Sequence, residues 1–365
     1  MITFLESRRV AFADTFAPFF CSSVGAHLFN LVNQQNPILY QFGDIANTRL
    51  HIMFIAPPAF SKTLFIKRQF LGQYGVFGQT HIRTKFVGIL TEAAFVGSKF
   101  LVDGEIKESP GLAKKFSDGI LGCEEFSAIL QAMTADYNKG LESVLLSALD
   151  QGAVEKSLAG IDISYTTNVT LWAGIQPAKW DPGAGLPRRF LILIHGGAKE
   201  AHEIKRRFWQ GLNVPPKIDS LTYFWTYVQN LSEKIKSIKR VEFDKELEFR
   251  LRAVSNTDIT VFLNMCLGYT VIQGNFTDTL VVKMDPMLSE MVEIEMRMRK
   301  QMRMGPQEAV IVKIVADHEQ ISYHDLVSML LEFSYKMIEI RTLVAELIRQ
   351  GRLKQVGDKI MLGGV

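Results

Sequence analysis

Five short runs constrain this chain more than anything else in it: HIMFIA (51–56), FVGILT (86–91), GILGCEEF (119–126), VTLWAGI (169–175) and RFLILIH (189–195). They are apolar without clean alternation. A strand with one wet face alternates, whereas a strand covered on both faces does not. Between them lie segments with helical spacing, such as SKTLFIKRQFLGQYG (61–75) and LESVLLSALDQG (141–152). The order predicts an α/β core with a mostly parallel sheet over residues 1–215.

The segment NVPPKID (213–219) breaks this pattern. The next region, 216–304, turns helical and predicts a small all-α lid. Within it MVEIEMRMRKQMRMG (291–305) crowds Arg297, Arg299, Lys300 and Arg303 together. This is read as a solvated helix face, with a DNA- or subunit-contacting edge as the alternative. In 305–365, PQEAVIVKIVADHEQ predicts a helix, and Ser322 and Asp325 have capping-box-like spacing at the start of a second. A third places Ile340, Leu343, Val344, Leu347 and Ile348 on one face and stops at Gly351. Two short strands around Gly357 and Asp358 complete a winged-helix pattern. Its third helix balances Lys336, Arg341 and Arg349 against Glu339 and Glu346. That balance favours a structural or regulatory role over sequence-reading DNA binding.

With 365 residues, 47% of them hydrophobic, the chain is long enough for two or three packed units. A net charge of +3 gives no overall commitment to nucleic acid, so any such surface must come from local clusters. Cys21, Cys123 and Cys266 are far apart and form no CxxC pair, which argues against zinc or a disulfide framework. No apolar run is expected to reach the ~18 residues of a membrane span. MITFLESRRVAFAD lacks the apolar stretch of a signal peptide. The expectation is a cytoplasmic protein with no membrane partner.

The chemistry centres on APPAFSKT (56–63), which follows the first run. A P-loop works because successive backbone N–H groups enclose the phosphates at a helix N-terminus, with a lysine and a hydroxyl beside them. Lys62 and Thr63 are in place, but Ala56, Ala59 and Ser61 stand where glycines are usual. A phosphate-transfer site also needs an acidic pair at the end of a second buried strand. Glu124 and Glu125 supply it. His195 and Cys123 have no triad or ligand partner and are expected to be strand-end packing.

The order of these pieces resembles the AAA+ motor domain of the minichromosome maintenance (MCM) replicative helicases, densely over about half the chain. FAPFFCSSVGAHLFNLV resembles the segment leading into that domain, and IAPPAFSKTLFIKRQ its Walker A, which reads G-D-P-G-x-A-K-S in the family. FVGILTEAAFVG resembles the next strand and the start of the helix-2 insert, and FSDGILGCEEFSAIL the Walker B segment A-D-G-G-x-x-x-I-D-E-F. LLSALDQGAVEKSLAGIDISYTTNVTLWAGIQP is similar to the helix, pre-sensor hairpin and sensor-1 strand, and GLPRRFLILI to the arginine-finger segment. The resemblance implies a P-loop AAA+ fold with a helical lid and C-terminal winged helix, taking ATP and Mg²⁺.

By that resemblance Lys62 and Thr63, with Ala56, Ala59 and Ser61, form the phosphate loop, and Thr63 and Glu124 hold Mg²⁺. Glu125 is the catalytic carboxylate, Gln176 replaces the sensor-1 asparagine, and Arg189 is a finger reaching a neighbour's γ-phosphate. Lys156 on the hairpin and Lys99, Lys107, Lys114 and Lys115 on the insert are candidate DNA contacts, or else a solvated hairpin. Implied partners are DNA, further copies in a hexamer and other replication proteins, in an archaeal cell or a mobile element. Several features depart from the family. Ala56 and Ala59 replace both loop glycines, Asp258 stands at the sensor-2 position, Leu158 at the hairpin lysine, and the N-terminal DNA-binding domain has no counterpart. Two functions follow: a DNA-acting ATPase of helicase type, or a catalytically degenerate homologue serving in DNA binding or complex assembly.

Overall fold

The computed structural model describes residues 13–58, 60, 62–102, 105–134, 141–158, 161–180, 185–196, 198–213, 218–302 and 305–363. All five apolar runs are strands: β1 (His51–Ile55), β2 (Thr84–Ile89), β3 (Ile120–Glu125), β4 (Thr170–Ile175) and β5 (Phe190–Ile194). They form one parallel sheet in the order β5-β1-β4-β3-β2. Alternate residues pack on opposite faces, as the pleat requires. Ile52, Phe54, Ile120, Trp172, Leu191 and Leu193 share a core with the helix Ala13–Gln35. Met53, Ile55, Leu121, Leu171, Ala173 and Ile192 share another with Ile129, Leu145 and Leu149 of the helices Ser127–Thr134 and Leu141–Asp150. Both faces of β1, β3, β4 and β5 are covered, which is why those runs do not alternate, while β2 at the far edge is half-buried to exposed.

The exposed edge that β5 would present is closed by side chains of the helix Pro286–Met302. Glu295 accepts from the Ile192 N–H at 3.1 Å, Met298 sulfur from the Ile194 N–H at 3.3 Å, and Arg299 donates to the Phe190 carbonyl at 2.6 Å. This corrects the solvated reading of the basic run. Arg297 and Lys300 are exposed, but Arg299 is buried and ion-paired with Glu295 and Asp258, both at 2.8 Å. Arg303 lies outside the described residues. The lid is not all helical either. Arg240–Phe243 pairs in parallel with Thr279–Val282, where β-branched and apolar residues override the helical surroundings.

Two antiparallel hairpins project from the core, Gly97–Val102 with Glu105–Pro110 and Ala153–Leu158 with Ile161–Thr166. The C-terminal unit has helices Pro306–His318, Tyr323–Glu332 and Met337–Arg349. The two expected strands, Leu353–Val356 and Lys359–Leu362, are joined by a third, Gln320–Ser322, that the sequence reading missed. Ser322 caps its helix by accepting from the Asp325 N–H at 3.0 Å. Among the described residues one helix, Thr15–Gln35, is long and apolar enough to cross a membrane, contrary to the expectation of no such run. Within the fold 89% of its most apolar 18-residue stretch is buried, packed on the sheet and lid.

Candidate active site

In a parallel sheet the loops at the carboxyl ends of adjacent strands share one crevice. β1, β4 and β3 are neighbours, so the residues that follow them meet: Ala56, Lys62 and Thr63 after β1, Gln176 after β4, and Glu124 and Glu125 ending β3. The Thr63 hydroxyl donates to Glu124 Oε1. Lys62 Nζ donates to the carbonyls of Ala56 at 2.5 Å and Pro57 at 2.9 Å. Burial pushes the Lys62 amine down to about 8, against the pull of Glu125 and Glu124. Glu125 Oε2 accepts from Gln176 Nε2 at 3.5 Å and lies 3.7 Å from Lys179 Nζ, while its buried Oε1 has no hydrogen-bond partner. A Cβ on Gly174 would sit 2.7 Å from the Glu124 carbonyl and 3.5 Å from Lys62 Cδ, so the close approach of β4 requires glycine there.

Lys179 was missed by sequence reading. It ends the short 3₁₀ turn Pro177–Lys179 directly after Gln176, so a lysine four residues beyond a site strand was the available signal. The segment after the loop also departs from expectation: Leu64–Leu71 is a π-helix rather than an α-helix. Its wider turn brings i and i+5 onto one face, which buries Phe65 with Phe70 and Ile66 with Leu71.

Among the described residues of the loop before Lys62, no backbone N–H is left to offer a phosphate. Pro57 and Pro58 carry no N–H, the Ala56 N–H bonds the Ile175 carbonyl at 3.0 Å, and that of Phe60 bonds Pro57 at 3.3 Å. Ala59 and Ser61 lie outside the described residues. The loop is also covered. Ala56 and Phe60 belong to the core of the C-terminal unit, with Val310, Ile311, Ile314 and Phe333. The rings of Phe60 and Phe333 meet edge to face at 5.0 Å.

The residues therefore fit Mg²⁺ and the terminal phosphate better than they fit a whole triphosphate. Thr63 and Glu124 offer two hard oxygens side by side, and Mg²⁺ commonly takes one or two protein oxygens with the rest from phosphate and water. Among the described residues no group of three His, Cys, Asp or Glu side chains could hold a metal alone.

The other nominated residues stand elsewhere. Arg189 is at the amino end of β5, a strand length of ~17 Å from the crevice end of the sheet. Its guanidinium is buried, paired with the Asp150 carboxylate and donating to the Gly185 carbonyl at 2.6 Å. Arg188 beside it is exposed. Lys99 donates to the Asp162 carbonyl at 2.6 Å, and Tyr165 to the Val96 carbonyl at 2.8 Å, so the two hairpins touch. Lys114 pairs with Glu108 at 2.6 Å, Lys107 and Lys115 are exposed, and Lys156 is half-buried on the second hairpin. Asp258 is paired with Arg299.

His195 lies among Phe16, Phe54 and Phe60, and burial pushes its imidazole down to about 3. Cys123 is buried and its thiol is pushed up to about 12. Both are strand-end packing. Neither a family model nor a curated protein matches this chain.

Proposed function

We propose that this chain is an MCM-like AAA+ ATPase module that acts on DNA, within a homo-oligomer or a larger replication assembly. One observation carries the reading: Lys62, Thr63, Glu124, Glu125 and Gln176 converge on the carboxyl ends of three adjacent parallel strands. The strand order β5-β1-β4-β3-β2 supports it, as do two hairpins where the helix-2 insert and pre-sensor hairpin are expected. So does a C-terminal unit whose helices and strands follow the winged-helix order.

In this reading Lys62 neutralises the terminal phosphate of ATP. Thr63 and Glu124 would hold Mg²⁺, which supplies charge to the phosphate oxygens. Glu125 Oε1 accepts a hydrogen bond from the attacking water and takes its proton, while Gln176 and Lys179 fix the carboxylate through Oε2. Arg189 can serve only a neighbouring subunit's site, after leaving Asp150.

DNA-stimulated hydrolysis tests this. Lys62→Ala is expected to abolish turnover, and Glu125→Gln to keep ATP binding while slowing turnover by ~100-fold or more. The charged Lys62 amine is the phosphate-binding form, and its value of about 8 means that ATP affinity falls as pH rises from 7 to 9. An affinity that is flat over that range would remove Lys62 from the phosphate. The second reading is a degenerate module that keeps the fold for DNA binding or assembly. The donor-poor loop under the C-terminal unit favours it. DNA binding without any ATP binding at millimolar concentration would establish it and sink the ATPase.

A further inference from the structure

The helix Ala198–Gly211 connects β5 to the lid, and neither the crevice nor the hairpins account for its outer face. Ile204 packs against the core of the C-terminal unit. Beside Ile204 on the helix Lys205, Phe208 and Trp209 follow at helical spacing, with Leu212 just past the helix end, and all are exposed, Phe208 at 62% and Trp209 at 70%. Large rings are rarely left this open without use, and here two adjoin. The Phe208 and Trp209 rings lie 5.6 Å apart at 80°, an edge-to-face pair that leaves a π-face of each ring open. Cations flank them: Lys205 and Arg206 are exposed, with Arg207 half-buried beside them. Glu203 receives both arginines, and their hydrogen bonds hold its carboxyl well below the usual range.

We propose that this face binds single-stranded nucleic acid, with bases stacked on Trp209 and Phe208 and phosphates paired with Lys205 and Arg206. Aromatic faces interleaved with cations are the arrangement that binds single strands without reading sequence. The cations choose between a strand and an apolar protein groove. A groove would desolvate Lys205 together with the Arg206–Glu203 pair, while a phosphate backbone pairs Lys205, competes with Glu203 for Arg206 and releases counterions. The inference deepens the DNA-acting part of the proposed function and rests on it; it does not depend on ATP hydrolysis.

Trp209 makes the test optical. Of the four tryptophans, Trp172 and Trp180 are buried and Trp225 is half-buried, so a base stacking on Trp209 quenches the exposed part of the emission. Titrating the full chain with fluorescein-labelled oligothymidylate is expected to quench that emission and raise the label's anisotropy together. Trp209→Phe keeps binding by anisotropy and loses the quench. Phe208→Ala with Trp209→Ala weakens binding by about tenfold or more. Lys205→Gln with Arg206→Gln makes the fall of log affinity with log salt shallower by about 1.4. All these side chains are exposed, and unchanged circular dichroism shows that the variants fold.

A wild type that binds the oligonucleotide as tightly as the Phe208/Trp209 double variant overturns this assignment alone. A wild type that does not bind at low salt overturns it together with the DNA-acting reading, whatever its ATPase rate. A wild type that sediments as a dimer, dispersed by Trp209→Ala with oligonucleotide affinity unchanged, makes the face a contact between copies and overturns the assignment as well.

Discussion

Arg299→Leu is expected to lower the free energy of unfolding in urea by about 3–5 kcal/mol. The guanidinium donates to Asp258, Glu295 and the Phe190 carbonyl and lies over the Phe262 ring at 5.7 Å. Leucine replaces much of the volume, so the loss is not mainly a cavity. It comes from Glu295, which is fully buried and would keep only the Ile192 N–H. The matching control is Glu295→Leu and Asp258→Leu in the Arg299→Leu background. It removes the stranded charges and is expected to recover most of the loss, because a buried network replaced whole by apolar groups is often neutral.

Burial pushes the Glu295 carboxyl up to about 7, against the pull of Arg299. An acid whose folded value is raised holds a proton that the unfolded chain has lost. Its contribution to stability is therefore full below about 4.5 and falls as pH rises toward 7. Without Arg299 the rise extends to higher pH, so the deficit of the leucine variant should grow on the alkaline side. Urea curves at acid and alkaline pH measure it, and a deficit independent of pH would sink this account of Glu295.

The same region marks the limit of what the sequence could tell. Four of the five strands, β1, β3, β4 and β5, were legible because burial on both faces leaves runs with few polar residues to confuse them, and β2 because its apolar run is short and flanked by breaks. That β5 is an edge was not legible, since FLILI reads like a central strand. Its cover comes from Glu295 and Arg299 about a hundred residues later, and an i, i+4 Glu–Arg pair looks like any surface pair until the backbone it seals is known. The crevice was legible because each motif directly follows or ends a strand, and strand ends are where a parallel sheet gathers its loops. The cover over Phe60 was not: Phe60 and Phe333 are each ordinary apolar residues in their own segments. Arg189 was placed correctly at the start of a strand, but its burial against Asp150 depends on a helix far away in sequence.

Gly268→Val is expected to cost about 3 kcal/mol or more, at or above the top of the usual range for overpacking. The helix Ile259–Gln273 crosses Ala13–Gln35 at Gly268 and Gly25, backbone against backbone. A Cβ on Gly268 would lie 2.0 Å from the Ser22 carbonyl oxygen and 2.8 Å from Ala26 Cβ, and one on Gly25 2.0 Å from the Gly268 carbonyl oxygen. Replacing a helical glycine by alanine returns up to ~1 kcal/mol of propensity. The clash outweighs that gain, because backbone cannot rotate away as a side chain can. Gly25→Ala and Gly268→Ala together should cost less than their sum, since the first methyl already moves the helices apart.

The crossing is pinned on both sides. Ser22 donates to the Met265 carbonyl, and Asn264 Nδ2 donates to the carbonyls of Arg49 at 3.0 Å and Asn47 at 3.2 Å. With the Glu295–Arg299 seal on β5, these contacts tie the lid to the sheet at two separated places. A lid held this way does not hinge over the crevice. Urea midpoints for Gly268→Val and for the alanine pair test the crossing on which this rests. A valine variant with the wild-type midpoint and slope would mean that the helices stand further apart than a backbone contact allows, and that only the Glu295–Arg299 tie holds the lid to the sheet.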